Sequence, residues 1–404
     1  MREALLTEHL DDQERADEFL WARAGIGRLP RRSFLQLLGA GVVAARYPAA
    51  EARQAIIKPA PPELFVTSGS NLEMRWEAMY NRGYIVPNEL FFVRNNSPRV
   101  PRLDPATWRL QLAGSGLSRP RSFTYDEILA MPSVSVIRAI ECAGNGRNFF
   151  QVSHGKKIPG TPWDLGGIGV AEWTGVPLRE VLERAGVTRN ARDVMPEGAD
   201  ALHIKRPIPI EKAIAADTLL VYAMNGHPLP PDHGFPVRLL VPGWVGIAHV
   251  KWVRRCEVSE RPLYSDYNTK RYVLTGPDYE PRPPAMGPVL TTQKVKSAFE
   301  LAWNGEIASG RRLLRGRSWS GEGRIIKVDV SLDGGQTWQQ SRLRDPNIDL
   351  AWVRWDLDWD ARPGTYRFQA RATDSSGNTQ PDRVPFNAEG YSHWAVVTHP
   401  VTVI

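Results

Sequence analysis

Cys142 is one of two cysteines in a sequence of 404 residues, and it stands in the run Arg138-Ala139-Ile140-Glu141-Cys142-Ala143-Gly144-Asn145-Gly146-Arg147-Asn148. Two arginines flank it. Nearby cations lower the pKa of a thiol and favour the thiolate, which is the form that ligates metals. The Ala-Gly-Asn-Gly sequence that follows has the composition of a tight loop whose backbone can approach a bound group closely. From this local chemistry two readings stand side by side: a metal-binding thiolate, or a small buried core cysteine beside an ordinary turn. The cysteine count alone permits a disulfide between Cys142 and Cys256, but a place in a functional loop argues against pairing Cys142. The chain contains no Cys-x-x-Cys-His, so covalent c-type haem is excluded.

The apolar run 134–140 reads as the buried strand that delivers Cys142 to its loop. Thr124-Tyr125-Asp126-Glu127 is a capping box opening a short helix that Pro132 ends. Residues 177–185 form a second helix, with Leu178, Val181, Leu182 and Ala185 on one face and Gly186 as its stop. Strands are expected at 237–241 and 248–253, among loops rich in Pro and Gly. The polar loop 261–288 is long enough that it should line a site.

From about residue 291 the pattern changes to short alternating strands. Ile326, Val328, Val330 and Leu332 share a face until Asp333-Gly334-Gly335 turns the chain. Val353, Trp355, Leu357 and Trp359 alternate next, then Tyr366, Phe368, Ala370 and Ala372, with a last run at 394–404. This spacing predicts an immunoglobulin-like sandwich whose tryptophans belong to a core or an interface. The length predicts two domains, 59–288 and 289–404. A hydrophobic fraction of 42% is ample for two cores. A net charge of +7 with scattered Lys and Arg, and no nucleic-acid motif, points to an anionic substrate or an acidic partner.

Residues 1–52 read as an export signal. Leu29-Pro30-Arg31-Arg32-Ser33-Phe34-Leu35-Gln36 is a twin-arginine pattern, followed by an apolar stretch too short to span a bilayer and by Ala50-Glu51-Ala52 as a cleavage site. That route moves folded proteins, so a periplasmic enzyme carrying a bulky cofactor, with no stable membrane anchor, is expected.

Taken together, six collinear segments resemble the sulfite oxidase family of molybdenum enzymes, from about residue 60 to the end. They are Phe91-Phe92-Val93-Arg94-Asn95, Glu141-Cys142-Ala143-Gly144-Asn145, Met224-Asn225-Gly226-His227-Pro228-Leu229-Pro230, Asp232-His233-Gly234-Phe235-Pro236-Val237-Arg238, His249-Val250-Lys251-Trp252 and Ser331-Leu332-Asp333-Gly334-Gly335-Gln336-Thr337-Trp338. The twin-arginine start and the ending Val396-Val397-Thr398-His399-Pro400-Val401 look most like the periplasmic branch of sulfite and sulfane dehydrogenases. The resemblance implies an α+β molybdopterin-binding domain followed by an all-β immunoglobulin-like domain that makes a homodimer. It makes Cys142 the thiolate ligand of molybdenum in a molybdenum-molybdopterin cofactor. It implies that His233, Arg238 and Lys251 hold the pterin phosphate, with Asn95 and Asp200 as further contacts, and that Arg94, Arg147, Trp163 and Tyr272 face the substrate. Two guanidiniums suit an oxyanion such as sulfite, and a tyrosine can donate to it and support proton transfer.

Three positions depart from vertebrate members of the family. Asn96 stands where they have histidine, Ala248 replaces an arginine, and Glu389, in Asn387-Ala388-Glu389-Gly390, replaces a substrate-binding arginine. A carboxylate turned into the pocket would disfavour a free dianion and favour sulfur carried on a partner protein. The haem domain of some members is absent, so electrons are expected to leave to a separate acceptor, a c-type cytochrome, in a homodimer or a complex with the cytochrome subunit. Two alternatives remain: a molybdenum-dependent reductase of an oxidised sulfur or nitrogen compound, and a non-catalytic docking module of a sulfur-oxidation complex.

Overall fold

The computed structural model describes residues 55–404; the twin-arginine segment lies outside the described residues. The chain forms an α+β domain followed by a β-sandwich. The first domain holds three sheets. A small antiparallel one joins β1 (Phe65–Ser68), β2 (Asn71–Met74) and β3 (Val93–Arg94). The second runs β11 (His227–Pro228), β10 (Leu219–Met224), β7 (Ile168–Pro177), β6 (Val134–Glu141), with β12 (Arg238–Leu240) also on β10. The third is β5 (Arg121–Thr124), β4 (Arg109–Ala113), β13 (Val253–Ser259), β8 (Asp193–Gly198), β9 (Ile208–Pro209).

The local signals act as their chemistry requires. The Thr124 side chain accepts from the Glu127 amide and Glu127 returns the bond, so α1 (Tyr125–Ala130) starts on a complete capping box and stops before Pro132. The helix α2 (Leu178–Arg184) buries Leu178, Val181 and Leu182, and Gly186 at φ 69° lets the chain leave it. β6 is a full partner of β7 over its eight residues and ends one position before Cys142. Cys256 sits in β13 facing Leu112 and Pro196; both cysteines are buried and free, so the disulfide is absent as expected.

Two strand expectations need correction. The strand expected at 248–253 begins only at Val253, because Gly246–Ala248 forms a 3-10 turn and Trp252 takes φ 54°. The stretch 249–251 is spent on lining a cavity instead. The strand expected over 237–241 is confined to the three residues of β12.

The second domain stacks β14 (Lys296–Phe299), β16 (Gly310–Trp319), β20 (Trp352–Ala361) and β19 (Arg342–Arg344) against β15 (Gly305–Ile307), β22 (His399–Val403), β21 (Gly364–Asp374), β17 (Ile325–Ser331) and β18 (Gln339–Gln340). Val353, Trp355, Leu357, Trp359, Phe368, Ala370 and Ala372 fill the space between, as the alternation predicts. Ile326 does not join them and is 57% exposed. A register shift between Ile325 and Lys327 puts Ile325 inward in its place. The final strand is β22 alone, shorter than the run 394–404. Trp319 and Trp352 leave the sandwich to pack beside Trp76 of the first domain, at ring distances of 6.0 and 6.1 Å. Buried Arg317 joins the two units, paired with Glu300 at 2.6 Å and donating to the carbonyls of Gly83 and Tyr84.

Candidate active site

A cavity opens where these sheets and the loops 231–238, 246–252 and 266–272 meet. Its walls include Arg94, Asn96, Cys142, Asp200, His233, Arg238, His249, Lys251 and Tyr272. Most of the residues expected to serve a cofactor and a substrate therefore converge, and Asn95, Arg147 and Trp163 are the exceptions.

Cys142 arrives on β6 and is fixed by its own backbone. Its N–H donates to the Gly167 carbonyl at 2.8 Å, and its carbonyl accepts from the Asn145 amide at 2.9 Å. The loop needs glycine at 146, which takes φ 93° and where a Cβ would stand 3.2 Å from Cβ of His393. The cation that faces the sulfur is Arg94 at the end of β3. Burial acts against its charge, yet the anionic forms of Tyr272, Cys142 and Tyr391 around it outweigh that effect and raise its pKa. Arg94 is held by the Asn96 side chain at 2.6 Å and the Asn95 carbonyl at 2.5 Å. Arg138, expected to act on the thiol, instead pairs with Asp217 at 3.1 Å. An acid from another segment claims it, which sequence neighbourhood could not reveal.

At another part of the cavity lies a group of cations and donors. Pro231–His233 forms a 3-10 turn that leads through Gly234, at φ 112°, to Arg238 on β12. A Cβ at Gly234 would come within 3.1 Å of Lys251 Cβ, so the glycine lets the two segments lie together. Arg238 donates to the carbonyls of His233 at 3.0 Å and His249 at 3.3 Å. Burial alone pushes its pKa down to about 9. Burial, reinforced by the charges of Lys58, Lys251 and Arg238, holds His233 far below its ordinary range. Lys251 is likewise lowered, by burial and by Arg238. His233 Nε2 and Arg238 Nε are buried without a hydrogen-bond partner among the described residues. Buried polar groups are rarely left unpaired, and a free guanidinium N–H beside an unpaired imidazole nitrogen fits an anionic group that would complete them.

Asp200 borders the cavity with its carboxylate capping the amides of Leu202 and Ile204. Through those two bonds it shapes the loop 200–204. Tyr272 comes from the long loop 261–288, as expected of a loop that lines a site, and takes φ 55°.

Asn95, Arg147 and Trp163 do not line the cavity. Asn95 is behind Lys251, accepting from its amine and donating to the Ala55 carbonyl at 2.9 Å, so it orients a wall residue. Arg147 is turned aside: it donates to the carbonyls of Thr161 at 2.8 Å and Glu389 at 3.2 Å and lies 5.6 Å from the ring centre of Tyr391. Trp163 is fully buried, edge-on to Phe92 at 6.2 Å, one layer behind the wall. Glu389 is exposed and meets Arg147 through its backbone, so its carboxylate does not take up space in the cavity.

Several contributors carry no signal in local sequence. Tyr391 stacks on Tyr272; Arg206, fully buried, donates to the carbonyls of Tyr267 and Leu290 that frame the Tyr272 loop. His249 is a satisfied structural histidine, accepting from the Val241 amide at 3.2 Å and bonded to the Trp244 carbonyl at 3.0 Å, with its pKa lowered by burial to about 3.

The donor set suits a phosphate-bearing cofactor with a soft metal. Cys142 would supply a thiolate for the metal, and His233, Arg238 and Lys251 would hold the phosphate.

Comparison with known proteins agrees with this geometry. Residues 97–267 match the family described as oxidoreductase molybdopterin binding domain, and residues 293–401 match the Mo-co oxidoreductase dimerisation domain. The chain is 38% identical over 347 residues to sulfite oxidase of Gallus gallus, covering 81% of this chain and 74% of that protein. It is 37% identical over 324 residues to mitochondrial sulfite oxidase of Mus musculus, covering 76% of this chain and 59% of that protein, so the chain spans about three fifths of that relative's length. The crystal structure of the sulfane dehydrogenase SoxCD from Paracoccus pantotrophus superposes with a TM-score of 0.75 and 29% identity, covering 89% of this chain and 91% of that one. The chain belongs to the sulfite oxidase family of molybdopterin enzymes.

Proposed function

We propose that this protein is a molybdenum-molybdopterin oxidoreductase that oxidises sulfite, or sulfane sulfur carried on a partner protein, and passes the electrons to a c-type cytochrome. The observation that carries this reading is the cavity itself. A single cysteine and Arg94 stand in its wall together with the unpartnered donors of His233 and Arg238.

When bound, the cofactor supplies the two-electron redox chemistry and the oxygen transfer. The chain's own residues do the rest. Cys142 anchors the metal. Arg94, held by Asn95 and Asn96, is the pre-placed charge that binds an anionic sulfur substrate and stabilises the oxyanion formed. Tyr272 donates a hydrogen bond from its phenol toward the reacting oxygen and can take part in moving the proton. His233, Arg238 and Lys251 hold the phosphate, and a phosphate placed among them would favour their charged forms over the neutral ones that burial favours. Of the two arginines expected to face the substrate, Arg94 lies at the cavity wall and Arg147 is turned aside. That supports a substrate of lower charge than a free dianion, such as carrier-bound sulfur.

The twin-arginine motif supports a periplasmic location, and the match of residues 293–401 to a dimerisation domain supports a homodimer. No helix among the described residues is long and apolar enough to cross a membrane.

The test is turnover of cofactor-loaded protein with cytochrome c as acceptor, offered sulfite and then a protein-bound persulfide. Reduction with either substrate supports the reading and selects the substrate. Activity only with a reduced dye and an oxidised sulfur or nitrogen compound would replace it with a reductase. A cofactor-free protein that binds sulfur-oxidation partners would make it a docking module.

A further inference from the structure

The strand and loop that present Cys142 are gripped from the second half of the chain at four places. The Ala139 amide donates to the Leu350 carbonyl at 2.9 Å, and Gln293 Nε2 reaches the Ala139 carbonyl at 3.5 Å. The Ser392 amide donates to the Ala143 carbonyl at 2.8 Å. The fourth grip is Lys296, the first residue of β14, which enters the first domain beneath the loop. Its amine donates to Glu141 Oε1 and to the Asn145 carbonyl, both at 2.8 Å. The Lys296 and Glu141 side chains are each 3% exposed.

Asn145 closes this arrangement around the cysteine. Its Nδ2 donates to the same Glu141 oxygen at 2.9 Å, and its Oδ1 accepts from the Gly167 amide at 2.9 Å. The Gly167 carbonyl in turn accepts from the Cys142 N–H, and the Asn145 amide donates to the Cys142 carbonyl. Both backbone polar groups of Cys142 are therefore tied into a network whose cation comes from the other domain. A buried ion pair is a weak source of stability, because desolvating two charges offsets their attraction. What it supplies is a fixed geometry, as long as every member is satisfied.

We propose that Lys296 is the positioning residue of the Cys142 loop, so that the second domain is a working part of the metal-ligand site in addition to any role in dimerisation. The proposal takes from the molybdopterin reading only the identity of the group that Cys142 holds.

The test uses the full chain with Lys296→Met, Lys296→Arg, and the double change Lys296→Met with Glu141→Gln, which removes both charges and keeps the fold if the lone Glu141 would not. In protein made without cofactor, the rate of Cys142 alkylation by iodoacetamide is followed by peptide mass. Cys256, buried and with its thiol pushed up to about 12, gauges unfolding of the whole chain. Loosening of the loop should speed Cys142 alkylation by roughly tenfold or more in Lys296→Met and in the double variant while Cys256 stays protected. Lys296→Arg should restore much of the protection. In protein made with cofactor, the same variants should shift the thiolate-to-metal absorption band and lower kcat with little change in KM. Wild-type alkylation rates in both charge-removing variants, with Cys256 protected, would overturn the proposal. If the wild type binds no molybdenum, the functional reading fails, and the alkylation rates still decide whether Lys296 holds the loop.

Discussion

Tyr272 lies nearly parallel to Tyr391, with ring centres 4.9 Å apart and planes 14° apart. Tyr391 in turn contacts the Arg147 guanidinium, and burial pushes its phenol above its ordinary range. The stack fixes a phenol whose backbone sits in the left-handed region, a conformation costing a non-glycine residue about 1–3 kcal/mol. The Leu290 amide holds it by donating to the Tyr272 carbonyl at 2.9 Å. The ring is thus held at the cavity wall by packing and by backbone bonding together. Tyr272→Phe keeps the stack and removes only the hydroxyl. It should lower kcat by roughly a hundredfold, in line with the loss of a proton-transfer group, with KM little changed. Steady-state kinetics on sulfite or a carrier persulfide check this; an unchanged kcat would remove Tyr272 from the reaction.

Arg238 tests the phosphate end. Its two Nη atoms bond only to backbone carbonyls, leaving its charge unpaired by a carboxylate in a fully buried setting. Hydrogen bonds to charged groups contribute about 1.5–3 kcal/mol each. Arg238→Met should therefore weaken cofactor retention by roughly ten- to a hundredfold, read as molybdenum and pterin remaining after extended dialysis. Arg238→Lys should rescue only part of this, because a point charge lacks the planar fork. Full retention in the methionine variant would move the phosphate elsewhere.

Glu73 offers a pH test of stability. Its carboxyl accepts from the amides of Gly166 at 2.8 Å and Asp164 at 3.1 Å. Burial, and then the Asp164 charge, nevertheless push its pKa up to about 8 from an ordinary 4.5. Between those two values the folded chain holds a proton that the unfolded chain has released. The stability tied to that proton is full in acid and is lost as pH climbs from 4.5 through about 8, a change on the order of a few kcal/mol. Glu73→Gln, uncharged throughout, should flatten the fall in Tm between pH 5 and 8 relative to wild type. Parallel profiles would show that Glu73 is already ionised in the folded protein.

Much of the site was legible because its residues lie in contiguous motifs whose loops do one local thing. Cys142 at the end of a strand, and His233 with Arg238 around Gly234, are of this kind. The capping box at Thr124 and the alternation through Trp359 worked for the same reason, since each depends on near neighbours. What the sequence hid is long-range. Arg138 looked like a partner of Cys142 until Asp217 took it, and Ile326 looked inward until a bulge reversed its face. Arg147 and Trp163 are near the site in sequence terms, yet backbone carbonyls hold one aside and core packing holds the other. Tyr391, Arg206 and Lys296 act through contacts made only when distant segments fold together, and no spacing rule announces them.

The proposed role of Cys142 is to hold a molybdenum cofactor in this cavity. Metal analysis of wild type and Cys142→Ser, both made in a host that supplies the cofactor, tests it most directly. Wild type should carry roughly one molybdenum per chain, and the serine variant, which keeps the phosphate donors but lacks the soft thiolate, should lose sulfur-dependent cytochrome reduction and its thiolate-to-metal absorption. Wild-type protein without molybdenum, or a serine variant with the full spectrum and turnover, would contradict the account.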